Sequence, residues 1–214
     1  MKNIKEPTYY PYLEEKINVY THALGLLLSV AALVLLVVKS SLTGTVWQIV
    51  SFSIFGASLI ILYTASTFFH NAKNLKIRKR LNIFDHASIY ILIAGTYTPY
   101  TLVTLNGTLG WVIFGITWGI ALTGVILKLF FTGKYEKIST IAYVLMGWII
   151  IFAFKPLLRN LPFEGIAWLV AGGIAYTIGA VLYSINRLSF NHAIFHVFVL
   201  LGSFCHFISI YFYV

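Results

Sequence analysis

Residues 191–214 read NHAIFHVFVLLGSFCHFISIYFYV, an apolar run that is long enough to cross a membrane as a helix. This run holds three of the six histidines of the chain, and His192 and His196 are four residues apart. On a helix that spacing places both imidazoles on one face, one turn apart. Because ionisable side chains are costly to keep at membrane depth, the pair is a candidate functional site.

The composition is that of a polytopic helical membrane protein. Of the 214 residues, 59% are hydrophobic and 10% are charged, whereas soluble domains carry roughly 25% charged residues. Seven spans are predicted, at about residues 17–38, 46–70, 85–105, 109–131, 138–154, 165–185 and 192–213. We therefore expect an all-α bundle of seven transmembrane helices in the cell membrane, formed by residues 17–214. Residues 1–16 are polar, predict no cleavable signal peptide and are expected to form a cytoplasmic N-terminal segment.

The basic residues are divided unevenly between the two ends of the predicted helices. The net charge is +9, and its clustering in short connections indicates membrane topology rather than nucleic-acid binding. One side receives Lys2, Lys5, Lys16, Lys73, Lys76, Arg78, Lys79, Arg80, Lys128, Lys134, Lys137 and Arg187. The other side receives Lys39, Lys155 and Arg159. The positive-inside tendency then predicts a cytoplasmic N-terminus and an external C-terminus.

Glycines in two predicted spans are candidates for close helix contacts. Gly115 and Gly119 lie in span four, and Gly172 and Gly173 lie in span six. Small residues let neighbouring backbones approach in a membrane. The alternative is that these are ordinary glycines of membrane helices.

The predicted topology brings polar side chains from three helices to the cytoplasmic side of the bundle. Span two ends at His70, span three begins at Asp85, and span seven begins with His192 and His196. Three imidazoles with a water as the fourth ligand are typical of catalytic zinc, although imidazole also suits other transition metals. Asp85 could orient or deprotonate that water or bind the metal itself. Ser66, one turn before His70, could donate to an oxyanion, or it could hydrogen-bond a metal ligand without binding the metal itself.

Each of these residues also has a plainer interpretation. Asp85 could be the N-cap of an apolar helix. His70 could be an interfacial histidine beside the basic connection that follows it. Ser66 could bond its own backbone, as serines in membrane helices commonly do.

The other three histidines are left outside the predicted ligand set. His206 follows His192 by about 21 Å along the helix axis, which is too far to share one metal, so it is expected to line an internal polar cavity. His22 lies at a suitable depth but has no helical partner. His86 is turned about 100° around the helix from Asp85 and is expected to face another neighbour.

Four motifs resemble the hemolysin III branch of the progestin and adipoQ receptor (PAQR) superfamily, which includes the adiponectin receptors. They are EEKINVYTHALG at residues 14–25, Ser66-x-x-x-His70, FDHASIYILIAGTYTPY at residues 84–100, and NHAIFHVFVLLGSFCHF at residues 191–207. The likeness extends over essentially the whole chain. It implies seven helices, a cytoplasmic N-terminus and an intramembrane zinc ion near the cytoplasmic face. It also implies functional residues at Ser66, His70, Asp85, His192 and His196.

The resemblance further implies chemistry on membrane lipids. The adiponectin receptors look like ceramide-cleaving hydrolases, and bacterial members of the family have been linked to membrane-lipid homeostasis. The favoured hypothesis is zinc-dependent hydrolysis of an amide or ester, with a membrane lipid as substrate or ligand. The alternatives are a non-enzymatic hemolysin or pore-forming protein, and a lipid sensor with structural zinc. A metal transporter is disfavoured, because transport sites tend to lie near the bilayer midplane.

Overall fold

The computed structural model of the protein describes residues 7–185 and 187–214, and these residues are almost entirely helical. The helices are α1 (Tyr12–Thr43), α2 (Val46–Asn71), α3 (Leu75–Pro99), α4 (Gly107–Phe131), α5 (Glu136–Gly147), α6 (Phe154–Asn160), α7 (Phe163–Tyr183) and α8 (Asn191–Tyr213). A 3-10 segment, Ile149–Ala153, joins α5 to α6, so that three pieces make up the predicted fifth span. The all-α, polytopic arrangement is confirmed.

Within the described part of the chain, six helical stretches are long and apolar enough to cross a membrane, and α3 supplies a seventh helix. α3 is less apolar because its first turns contain the basic residues that were expected in a connection. Asn74 caps it by accepting a hydrogen bond from the backbone N–H of Lys76 at 2.9 Å. α3 therefore begins at Leu75 rather than near residue 85, and Asp85 lies inside the helix instead of at its N-cap.

The helices close into a ring around an internal cavity. α1 packs against both α2 and α8, α2 packs against α3, and α7 packs along α8. α5 contacts α3 and α7, while α4 lies against α3. At one end of the ring, Gln48 Nε2 donates to the carbonyl oxygen of Val214 at 2.9 Å. The start of α2 is thereby tied to the end of α8, so that the histidines at the opposite ends of these two helices can meet.

The break in the fifth span has a visible cause in α3. The Tyr97 hydroxyl donates to the carbonyl oxygen of Gly147 at 2.8 Å and accepts from the backbone N–H of Ile150 at 2.9 Å. Both backbone groups are thereby diverted from regular helical bonding at the joint. Two residues later, Pro99 lacks an N–H, and the chain continues as a π-helical stretch, Tyr100–Leu105.

The glycines divide into two groups. A Cβ atom at Gly172 would lie 2.6 Å from Nε2 of His206, and one at Gly173 would lie 3.6 Å from the Trp148 ring. Gly172 therefore permits a close helix contact, as expected, whereas a Cβ atom at Gly173 would make only an ordinary van der Waals contact. A Cβ atom at Gly115 or Gly119 would meet no atom of the described chain within 4 Å, so the prediction of close contact is wrong for this pair.

Candidate metal centre

Three buried histidines lie together at one end of the ring. His70 is in the last turn of α2, and His192 and His196 are in the first two turns of α8. Each ring offers one nitrogen, and these three atoms lie within 4.8 Å of one another. We call these residues the histidine cluster. The predicted convergence of the two helix ends is confirmed, and the cluster could hold a metal ion.

The distance between two of the ring nitrogens is compatible with one shared metal ion. Nε2 of His70 and Nε2 of His192 are 3.0 Å apart. Two nitrogens bound to a tetrahedral zinc ion at about 2.0–2.1 Å lie about 3.3 Å from each other, which is close to this separation. Nδ1 of His196 is buried and has no hydrogen-bond partner among the described residues. Zinc, copper, iron and nickel all accept imidazole ligands.

Polar side chains from the N-terminal part of the chain contact Nδ1 of His70 and Nδ1 of His192. In each ring this is the other nitrogen from the Nε2 atom that faces the neighbouring histidine. A Glu15 carboxylate oxygen lies 2.7 Å from Nδ1 of His70, and Nδ2 of Asn18 lies 3.5 Å from the same nitrogen. The Tyr10 phenol oxygen lies 2.9 Å from Nδ1 of His192. Burial raises the pKa of the Tyr10 phenol well above its ordinary value, so the hydroxyl keeps its proton at neutral pH. Outer partners of this kind are usual for metal-binding histidines.

Arg78 fixes the Glu15 carboxylate from α3. The guanidinium is buried and forms an ion pair with Glu15. Its Nη2 also donates to the carbonyl oxygen of Thr8 at 2.8 Å, and its carbon lies 4.3 Å from the centre of the Tyr9 ring. Arg78 therefore joins the first turn of α3 to the segment that precedes α1.

Asp85 and Ser66 line the cavity beside the histidine cluster, together with His192 and His196. Asp85 Oδ2 lies 3.9 Å from Nδ1 of its neighbour His86. Within the described chain, the group of clustered ligand atoms consists of histidine nitrogens and does not include Asp85. Ser66 Oγ is buried without a hydrogen-bond partner among the described residues, so the backbone-bonded alternative is not observed. Both side chains face the space in which a substrate could lie.

His22 of α1 lies against the histidine cluster but is not one of its clustered ligands, as predicted from the sequence. Its ring stacks on that of His196, with centroids 3.5 Å apart and planes 9° from parallel. The signal that could have found it is the spacing of Glu15, Asn18 and His22, which puts three polar residues on one face of α1. A polar face on a membrane helix points to the interior of the bundle.

The other two histidines lie apart from the cluster. Nδ1 of His86 is 2.9 Å from the carbonyl oxygen of Asn82, one turn earlier on α3. His206 lines the same cavity as the cluster, and its ring centroid is 5.3 Å from that of Tyr176. His206 lines an internal cavity, as expected, but the lining of that cavity is mostly apolar rather than polar.

Comparison with known proteins places these residues in a family context. The chain matches the family described as "Haemolysin-III related" over residues 10–207, a range that includes the whole histidine cluster. It is 46% identical to Hemolysin-3 of Bacillus cereus over 201 residues, which cover 94% of this chain and 92% of that protein. It is 45% identical to a Hemolysin-3 homolog of Bacillus subtilis (strain 168) over 200 residues, 94% of each chain. It is 29% identical to the human Monocyte to macrophage differentiation factor over 215 residues, 96% of this chain and 85% of that protein.

Proposed function

We propose that this chain, which belongs to the haemolysin-III related family, is a zinc-dependent hydrolase that cleaves an amide or ester bond of a membrane lipid. Its family and its apolar helices make it a multi-pass membrane protein. The observation that carries the proposal is the buried histidine cluster, which borders a cavity that also contains a carboxylate and a hydroxyl without a partner among the described residues. Zinc at this place would supply a Lewis acid and lower the pKa of a coordinated water to about 7.

Five polar residues in or beside the cavity have a role in this proposal. His70, His192 and His196 would hold the zinc. Asp85, which lines the same cavity, would accept a proton from the attacking water. The Ser66 hydroxyl has no partner in the described chain, so it is free to donate to the substrate carbonyl oxygen as negative charge develops there.

The rest of the cavity supports a lipid as the substrate. Apolar side chains from α3, α7 and α8 line it, among them Leu92, Ile93, Leu169 and Val199. An acyl chain in contact with these residues would bury apolar surface that a polar metabolite lacks. The scissile carbonyl would then lie at the end of the cavity where the histidines meet. Amides and esters share this carbonyl, and an assay should therefore include both.

The metal content of purified protein tests the proposal. We expect stoichiometric zinc in the wild type, and His196→Ala should lose both the zinc and the release of fatty acid from ceramide or phospholipid vesicles. His206→Ala is the matched control, because it removes a buried histidine of the same helix outside the cluster. It should keep its zinc. Hydrolysis at the wild-type rate by a zinc-free His196→Ala protein would refute the proposal.

A non-enzymatic lytic protein is the second candidate. The names of the two Bacillus relatives favour it, since both contain the word Hemolysin. Dye leakage from liposomes containing the purified protein separates the two functions. Leakage that is equal in wild type and His196→Ala, without release of fatty acid, would support the lytic function. A lipid sensor with structural zinc would bind the metal but would cause neither leakage nor hydrolysis.

A further inference from the structure

We infer that Tyr10 and Glu15 are positioning residues of the metal centre, which set the ring nitrogen that His192 and His70 present to a metal ion. We call residues 7–11 the N-terminal strap. Through Tyr10, the strap is part of the metal centre and not only the segment that precedes α1. The inference rests on the zinc binding of the proposed function. It explains why His70 and His192 direct Nε2, rather than Nδ1, towards each other.

Glu15, the partner of His70, determines which ring nitrogen of His70 carries the proton. A neutral imidazole carries one N–H and one lone pair, whereas an ionised carboxylate can only accept. The Glu15 oxygen lies 2.7 Å from Nδ1, whereas the Asn18 amide nitrogen, which can only donate, lies 3.5 Å from it. The shorter contact decides, and a neutral His70 carries its proton on Nδ1. The lone pair of His70 is then on Nε2, the atom that lies 3.0 Å from Nε2 of His192. Glu15 therefore prepares His70 as a ligand before any metal binds.

The partner of His192 allows two arrangements, since a phenol hydroxyl can donate or accept. Without a metal, the Nε2–H of His192 donates to the lone pair of His70, and the Tyr10 hydroxyl donates to Nδ1 of His192. With a metal bound, the His192 proton would be on Nδ1 and would donate to the Tyr10 oxygen, which would leave the Nε2 lone pair for the metal. The proton count of the ring does not change. Tyr10 can stabilise both states, which a carboxylate could not.

Several contacts hold the strap in place over the two rings. The backbone N–H of Tyr10 donates to Glu15 Oε1 at 3.2 Å, and Arg78 binds both Glu15 and the carbonyl oxygen of Thr8. The Tyr10 ring lies against the His192 ring, with centroids 4.5 Å apart. Glu15 thus bonds the strap and His70 at the same time. The two positioning residues form one connected unit.

Zinc affinity of the full-length protein, measured by competition with a chromogenic chelator, tests the inference. Tyr10→Phe removes one hydroxyl and should weaken zinc binding by about 10–100-fold, the usual effect of losing an outer partner of a metal-binding histidine. Tyr20→Phe removes a hydroxyl from an exposed tyrosine of α1 and should leave the affinity unchanged. Glu15→Gln keeps an oxygen acceptor for His70 and should retain more affinity than Glu15→Leu.

The ¹⁵N NMR signals of labelled histidines supply a readout that a merely structural role would not change. We expect His70 to carry its proton on Nδ1 with and without zinc, and His192 to move its proton from Nε2 to Nδ1 when zinc is added. Equal zinc affinity in wild type and Tyr10→Phe would overturn this inference while leaving the proposed function intact. A wild-type protein that takes up no zinc would overturn both.

Discussion

Arg78 carries its charge into the protein interior, where only 1% of the residue is exposed. A buried guanidinium is tolerated only with acceptors around it, because its lost hydration must be replaced. The Glu15 carboxylate and the carbonyl oxygens of Thr8 and Phe69 supply them. These acceptors belong to the N-terminal strap, α1 and α2, so that one side chain of α3 joins three separate parts of the chain.

Removal of this charge should therefore be costly. We expect Arg78→Met to lower the free energy of unfolding by about 3–5 kcal/mol, because the partly buried Glu15 carboxylate would lose its guanidinium partner. Equilibrium unfolding of the metal-free protein in mixed detergent micelles measures the loss. Arg80→Met, at an exposed position on the same helix, is the control and should change little. A similar small change for both variants would show that the Arg78 ion pair contributes no stability.

The histidine cluster could be predicted from the sequence, whereas its outer partners could not. The four-residue spacing of His192 and His196, combined with the topology, was enough to bring His70 to the same place. Glu15 contacts His70 across 55 residues of sequence, and before a structure is known it resembles any acidic residue at the start of a helix. Its partner could be identified only once α1 was placed beside α2.

Helix contacts in this bundle depend on where glycines face rather than on how they are spaced. Gly95 on α3 lies so close to α2 that an added Cβ atom would be 2.6 Å from Cβ of the buried residue Ser58. Gly119 on α4 would place a Cβ atom in open space. The two positions therefore make a matched pair for testing how closely the inner helices pack.

Alanine substitutions at these positions should have opposite effects on stability. Gly95→Ala should destabilise the protein by about 1–3 kcal/mol, because an extra methyl group in a packed contact forces its neighbours apart. Gly119→Ala should stabilise it by about 0.5–1 kcal/mol, because alanine favours the helix and meets no neighbour. Thermal unfolding in detergent measures both changes. A gain in stability for Gly95→Ala would contradict the close packing of α2 and α3.

The predicted helix boundaries agree with the structure where an apolar run alone determines them. The predicted spans 46–70 and 192–213 correspond closely to α2 (Val46–Asn71) and α8 (Asn191–Tyr213). The prediction was less accurate for α3, because its first turns are basic although they are helical. The break in the fifth span comes from the distant Tyr97 hydroxyl, and no local pattern signals such a tertiary contact.

The distribution of basic residues over the whole molecule predicts on which side of the membrane the histidine cluster lies. His70 is followed closely by Lys73 and by the basic first turns of α3. The connection after α4 contains Lys134, while Arg159 lies near the end of α6 on the side predicted to be external. The positive-inside tendency therefore predicts that the end of the bundle with the cluster is the cytoplasmic end.

Thiol labelling of intact cells tests this orientation. Lys134 and Arg159 are both exposed, and the natural Cys205 is buried, so a cysteine introduced at either position should react above a low background. A membrane-impermeant maleimide should label Arg159→Cys in intact cells and Lys134→Cys only after permeabilisation. The unmodified protein is the control for Cys205. The reverse pattern would put the histidine cluster near the external face. Any zinc site there would then draw its metal from outside the cell, and the predicted cytoplasmic N-terminus would be wrong.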